Sequence, residues 1–348
     1  MKKVFAVTAV LALLGLSIAA QAAIIIDTVA VGNKGNAADT RYATPGYGAV
    51  SDPYNIGKYE VTAAQYTDFL NKVARTDTYG LYNTSMDSSA YGCQITRHGN
   101  SGSYTYDFSG RPSGTEADWA NRPVNYVSYW DSCRFANWLH NGQPTGLQTA
   151  ATTERGAYTL DGYNGIDGCG IQRNANWKWA VTSEDEWYKA AYYKSGSANA
   201  GYWDYPMRSD ISTTPSNAIT NPDGGNNANF YGNGYTIGSP YYRTNVGEFE
   251  LSASAYGTFD QGGNVWEWNE AVVYQAAAYG FRGLRGSSFE NGSGLSSSLQ
   301  ASYRDGTYPD FEEYVIGFRV SEVVPEPSSI IALAGGLVSL LGIRRRRA

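Results

Sequence analysis

Histidine is almost missing from this chain, with only His98 and His140 in 348 residues. That argues against a histidine-built iron or zinc centre, which draws on several imidazoles. Cysteine is nearly as scarce, and Cys93, Cys133 and Cys169 lie too far apart for a C-x-x-C metal clip. Three thiols cannot all pair. An oxidising compartment permits one disulfide, with Cys93 and Cys169 the preferred partners because both sit in Gly-rich loops. Cys133, among Phe135, Ala136 and Trp138, reads as a small buried residue. Basic charge is also short: Lys2, Lys3 and Arg344 to Arg347 crowd the two ends, and without them 20 basic residues face 32 acidic ones, near −12. Nucleic acid needs a basic face and is not an expected partner. Cations are the more natural guests.

What the chain does have is glycine and aromatic rings: 40 Gly, 29 Tyr and 9 Trp, with 42% hydrophobic and 17% charged residues. This composition is too aromatic for disorder and favours a loop-rich globule held by buried rings, of the kind found in secreted proteins. Residues 1–22 join a Met-Lys-Lys start, an apolar run from Val4 to Ala20 and an Ala20-Gln21-Ala22 exit, the layout of a secretory signal peptide. The other end, 324–348, carries Val324-Pro-Glu-Pro327, an apolar run from Ser328 to Ile343, marginal in length for a membrane span, and four arginines that would hold it on the cytoplasmic side.

Between the ends, residues 23–44 read as an N-terminal strand and linker, with Ile24 to Ile26 the strand-like part, and 45–320 as the main domain. Thr62 and Gln65 form a capping box opening a helix whose apolar face is Tyr66, Phe69, Leu70 and Val73. Ser128 with Asp131 opens a second, running to Leu139 and stopped by Gly142 and Pro144. Ser183 with Glu186 opens a third, where Glu184, Asp185 and Glu186 suit the positive end of the helix dipole. Residues 76–121 read as hairpins and long loops rich in tyrosine, where binding surfaces collect. Residues 195–258 hold little regular pattern.

The densest stretch is Phe259-Asp-Gln-Gly-Gly-Asn-Val-Trp-Glu-Trp-Asn269. Gly262 and Gly263 allow a tight turn that presents carbonyl oxygens. Asp260 and Glu267 bracket the turn, so two carboxylates and inward carbonyls make a hard-oxygen cage suited to Ca²⁺, while Val265, Trp266 and Trp268 read as a strand burying its indoles.

Gly-Asn-Val-Trp-Glu-Trp resembles the signature of the formylglycine-generating enzyme family, or sulfatase-modifying-factor domain. Five further segments agree in order: Gly57-Lys-Tyr-Glu-Val-Thr62 with Gln65-Tyr66, Arg122-Pro-Val-Asn-Tyr-Val127, Ser183-Glu-Asp-Glu-Trp187, Arg285-Gly-Ser-Ser-Phe289 and Ile316-Gly-Phe-Arg319. The resemblance implies an α+β, loop-rich single domain with the C-type-lectin-like fold of that family. It implies structural calcium at Asp260, Gly263, Val265 and Glu267, with Asp260 standing where the family has Asn. A second calcium site would fall at Asn229 and Phe230, but the family's partnering Asp has no counterpart in Thr236 to Asn245. Arg304 and Arg319 are expected to clamp loops through forked hydrogen bonds. The tail resembles a PEP-CTERM sorting signal, which implies processing by an exosortase-type enzyme.

Members that make formylglycine oxidise a sulfatase cysteine with copper held by two thiolates. Laid against that segment, this chain has Asn291 and Ser296 at the two positions, and an amide and a hydroxyl do not hold Cu(I). No copper and no formylglycine-generating activity are therefore expected. Three readings follow: a non-catalytic binding or display module of the envelope or extracellular matrix, with exopolysaccharide or another glycan as partner; an enzyme of the same family with altered chemistry; and a structural matrix protein. A glycan array, peptide mass shifts and polymer formation separate them. Each implies an exported chain, transiently anchored in the inner membrane.

Overall fold

Three helices begin where a side chain can cap them. Thr62, Ser128 and Ser183 hold extended backbone, accept from the amide three residues on, and have their own amides bonded by the side chains of Gln65, Asp131 and Glu186. Each box satisfies two otherwise orphaned N–H groups. The computed structural model describes residues 23–290 and 296–324. Its elements in chain order are β1 (Thr28–Val31), β2 (Tyr54–Gly57), α1 (Ala63–Val73), α2 (Ser85–Ser88), β3 (Thr96–His98), β4 (Thr105–Asp107), α3 (Glu116–Ala120), α4 (Tyr129–His140), β5 (Trp179–Val181), α5 (Glu184–Tyr192), β6 (Trp266–Gln275), β7 (Gly280–Arg285), β8 (Asp305–Thr307), β9 (Ile316–Phe318) and β10 (Val320–Val323).

Two four-stranded sheets organise the domain. The first is antiparallel in the order β1-β2-β10-β5, and the second runs β8-β7-β6-β9 with β6 and β9 parallel. A single residue, Arg319, separates β9 in one sheet from β10 in the other. β3 and β4 form a separate hairpin.

The core lies between α1, α4 and these sheets. Tyr66, Phe69, Leu70 and Val73 are buried on α1, as their helical spacing predicts. Phe69 meets Phe135 of α4 edge-on at 5.3 Å and Trp138 at 5.2 Å, and Phe135 meets Phe318 of β9 at 5.3 Å. Because α4 is covered on nearly every side, even Arg134 is fully buried, and a 2.8 Å bond to Glu154 neutralises it while pinning the loop after the helix to it.

Some expectations change. Ile24 to Ile26 do not form a strand: the amide and carbonyl of Ile24 bond the side chain of Gln143 instead, and β1 begins at Thr28. The strand of this stretch is β1, which pairs with β2 at the edge of the first sheet. The loops of 76–121 contain α2 and α3 besides the β3–β4 hairpin, α3 opened by a Thr115–Asp118 box. The permitted Cys93–Cys169 bridge is not formed; all three cysteines are free and buried. The 1–22 leader and the apolar run from Ser328 lie outside the described residues. Among those described, no helix is long and apolar enough to cross a membrane.

Lys189 on α5 is fully buried, and its ammonium donates to the Asn33 carbonyl at 3.1 Å. Burial pushes it down to about 8 from 10.5. The folded state therefore gives up this proton before the unfolded chain does, so stability rises with pH between about 8 and 10.5. Lys189→Met should raise the Tm at pH 7, with the gain shrinking as pH approaches 10.5; thermal melts across that range check it.

Candidate functional site

The glycine turn of the organising stretch works by close backbone approach. Gly263 has φ +88°, and a Cβ there would sit 2.3 Å from the Asn229 carbonyl oxygen. Its amide donates to the Gly286 carbonyl at 2.7 Å, and the next amide, of Asn264, donates to Asn229 at 2.8 Å. The buried Asn264 side chain then accepts from the Thr244 amide (3.0 Å) and from Asn229 Nδ2 (2.9 Å), while its carbonyl takes the Phe289 amide (3.0 Å). One turn thus fixes three loops, at 229, 244 and 289.

Glu267, expected to ligate calcium, is wholly buried and committed elsewhere. Arg319 forks onto it, Nε to Oε2 and Nη2 to Oε1 at 2.6 Å each, and Trp187 Nε1 donates to Oε2 at 2.7 Å. Arg319 also donates to the carbonyls of Gly57 and Phe259 at 2.9 Å. Beside the pair lie two more carboxyl groups, Glu60 buried and Asp260 half-buried. Asp260 accepts from the Gly247 amide at 2.6 Å and is pushed up to about 7, chiefly by burial. Glu60, which the sequence did not single out, has no hydrogen-bond partner on either oxygen among the described residues, and burial with the charges of Asp260 and Glu267 raises it well above the usual range. Three carboxyl groups therefore share one guanidinium. As arranged, the four expected ligands do not form an open cage, because Glu267 would have to exchange Arg319 for the ion.

At the other expected calcium position, Asn229 and Phe230 are buried. Asn229 Nδ2 also bonds the Tyr242 carbonyl, and the segment expected to lack an acid supplies a buried cation next along, Arg243. Arg243 donates to the carbonyls of Tyr91 and Gly92, and burial lowers it to about 10. A fixed guanidinium disfavours a second cation nearby. Among the described residues no three His, Cys, Asp or Glu side chains group as a metal site. Asn291 lies outside the described residues, and Ser296 opens a short 3-10 turn, Ser296–Leu299. The three cysteines sit apart from it in sequence; burial raises the thiols of Cys93 and Cys133.

The carboxylates at the start of α5 do more than cap. Glu184 accepts from Arg285 at 2.7 Å and Arg304 at 2.6 Å, and Glu186 caps the helix and forks with Arg173. Arg304 and Arg319 thus act as the loop clamps expected of them.

The same turn that fixes loops 229, 244 and 289 gathers aromatic rings from separate loops into one cluster. Tyr91 meets Tyr242 at 4.6 Å, Tyr314 at 5.0 Å and Phe289 at 6.0 Å; Tyr235 meets Tyr242 at 5.1 Å and Tyr231 at 4.9 Å. Phe289 is buried, and the tyrosines are half-buried. Tyr235 donates to Glu290, whose carboxylate also holds the Tyr314 phenol protonated. Sequence reasoning placed tyrosines in these loops without bringing them together; the excess of Tyr was the signal, but convergence from positions 91, 242 and 314 has no local pattern.

Fold and site define an α+β, loop-rich single domain in which short sheets carry long, mutually pinned loops. The chain belongs to the sulfatase-modifying factor enzyme 1-like domain family, whose model matches residues 22–323. Among solved structures it is similar to CarF (20% identity, 86% of this chain and 99% of that one, TM-score 0.49). It is also similar to Treponema denticola variable protein 1 (19%, 85% and 95%, TM-score 0.49) and to PvdO from Pseudomonas aeruginosa (17%, 85% and 94%, TM-score 0.42). No curated protein matches.

Removing one partner of a buried ion pair leaves an uncompensated charge, at a cost of about 3–5 kcal/mol. Glu267→Gln should destabilise the domain by about that much. Arg304→Gln should cost clearly less, because Glu184 keeps Arg285. Urea unfolding of both variants checks the order.

Proposed function

We propose that this chain is an exported, non-catalytic binding or display module of the cell envelope or extracellular matrix, and that the aromatic cluster holds its ligand. The observation that carries the reading is the convergence of Tyr91, Tyr231, Tyr235, Tyr242 and Tyr314 over Phe289, rings brought from four or more loops onto a rigid scaffold. Half-buried tyrosines offer flat apolar faces with polar edges, at low entropic cost on binding. A glycan, with C–H faces and hydroxyl rims, matches both, and exopolysaccharide is the proposed partner. Glycan-array retention should fall about tenfold in Tyr235→Ala and Tyr242→Ala, the size of a lost aromatic contact of ~1.4 kcal/mol. Unchanged retention in both would contradict the reading.

The leader and the Pro-Glu-Pro tail support export, transient inner-membrane anchoring and processing by an exosortase-type enzyme. Asn291 and Ser296 at the copper positions support the absence of formylglycine chemistry. Given Cu(I), air and a cysteine peptide of sulfatase type, the protein should bind no stoichiometric copper and leave the peptide mass unchanged; conversion to the aldehyde would overturn the non-catalytic reading.

Calcium stays a proposal in which Asp260 and the carbonyls of Gly263 and Val265 supply oxygens and Glu267 gives up Arg319 to the ion. Binding to the folded state alone should raise the Tm in millimolar calcium, and Asp260→Ala should remove the gain.

A further inference from the structure

A cavity of about 400 Å³ opens between the start of α4, the loop before β5 and the β6–β7 ribbon, with Tyr129, Arg173, Glu270 and Arg282 on its wall and Ile171 and Val272 as apolar lining. That size is within the range that small ligands occupy. None of these residues belongs to the tyrosine cluster. Val272 and Arg282 are cross-strand partners, so one face of the ribbon supplies both. Arg282 is 2% exposed and has no carboxylate within ion-pair distance among the described residues. Its Nη atoms donate to the carbonyls of Glu270, Gly168 and Ile171 at 2.7, 2.8 and 2.7 Å, and its Nε has no partner. The guanidinium lies 4.6 Å over the ring of Tyr129, whose buried hydroxyl is unpartnered as well. Two buried donors on one wall, one of them charged, thus lack an acceptor, which is a costly state for an interior.

The acid on the same wall has the opposite deficit. Glu270 Oε1 accepts from the Tyr158 hydroxyl and from Arg173 Nε at 2.8 Å, while Oε2 accepts nothing from the described residues. Arg173 is already committed: it forks onto Glu186 at 2.7 and 2.8 Å and donates to the Val181 carbonyl at 2.7 Å. The charges of Arg173, Arg282, Glu186 and Glu270 therefore cancel across the cavity, but Arg282 and Glu270 Oε2 are each left short of a partner. A lone anion would meet the Glu270 oxygen, and a lone cation would meet Arg282. A guest carrying both charges answers both deficits. Arg282 Nη1 bonds the backbone carbonyl of Glu270 at 2.7 Å, so the two residues touch, and charges one carbon apart suit them better than charges at the ends of a long chain.

We propose that this cavity binds a free α-amino acid with an uncharged side chain, its carboxylate on Arg282 and the Tyr129 hydroxyl, its ammonium on Glu270 and its side chain along Ile171 and Val272. The inference goes beyond the glycan reading of the tyrosine cluster and stands on separate residues. The test is calorimetric titration of the intact protein with L-valine, L-leucine and L-phenylalanine at millimolar concentration, each beside its N-acetyl form, which lacks the ammonium, and its amide, which lacks the carboxylate. Amide-resolved NMR places the contact. At least one free amino acid should bind about tenfold or more tighter than both of its blocked forms, the size of a lost charge-assisted hydrogen bond, with shifts at Ile171 to Arg173 and at Val272. Tyr129→Phe removes a hydroxyl that makes no bond in the ligand-free fold, so the Tm should hold while affinity falls about fivefold. Tyr235→Ala, which weakens the glycan site, should leave amino-acid affinity unchanged. Equal binding of either blocked form, unchanged affinity in Tyr129→Phe, shifts confined to another part of the domain, or failure of all three amino acids to bind overturns the proposal and leaves the glycan reading to its own array.

Discussion

The buried fork of Arg319 onto Glu267 is the constraint on which the rest of the structure depends. Arg319 is the one residue between β9 and β10, so it sits where the chain passes from one sheet to the other. Its five N–H groups reach Glu267 on β6, the end of β2 at Gly57 and the loop at Phe259, while Trp187 of α5 completes the carboxylate. A bidentate guanidinium is suited to this because its donors are fixed in one plane. The geometry stabilises only while all partners are present, since either charge alone in that interior is costly. The pair therefore sets the relation of two sheets and a helix more sharply than apolar packing, which tolerates many arrangements.

From that joint the glycine turn extends order into chain with almost no secondary structure. Between α5 and β6 there is no helix or strand, yet the loops of this region are held by Asn264, Asn229 and the carbonyls they meet. Rigid loops are what let half-buried tyrosines act as a ready surface rather than collapse on one another.

Legibility followed the range of the forces involved. The three main helices were readable because a capping box and an apolar face are local, and Thr62, Ser128 and Ser183 all cap as expected. The second sheet's central strand was readable from its tryptophans. The short strands were not, because three or four residues such as Thr96–His98 carry too little pattern, and β1 was placed four residues early since Gln143, 119 residues away, takes the backbone of Ile24. Glu267 was recognised as important but assigned to a cation: a sequence shows a carboxylate in a glycine turn, not which positive charge, metal or Arg319, reaches it through the fold. Glu60 and Arg243 were missed for the same reason, being polar residues whose burial only the tertiary structure reveals.

The most direct measurement is a double-mutant cycle between Glu267 and Arg319, using Gln at both positions, by urea unfolding in chelator and again in calcium. The account predicts a coupling of about 1–3 kcal/mol in chelator, with the double variant more stable than the sum of the single losses implies. Additive losses in chelator, with coupling or destabilisation appearing only in calcium, would contradict it and return Glu267 to the metal.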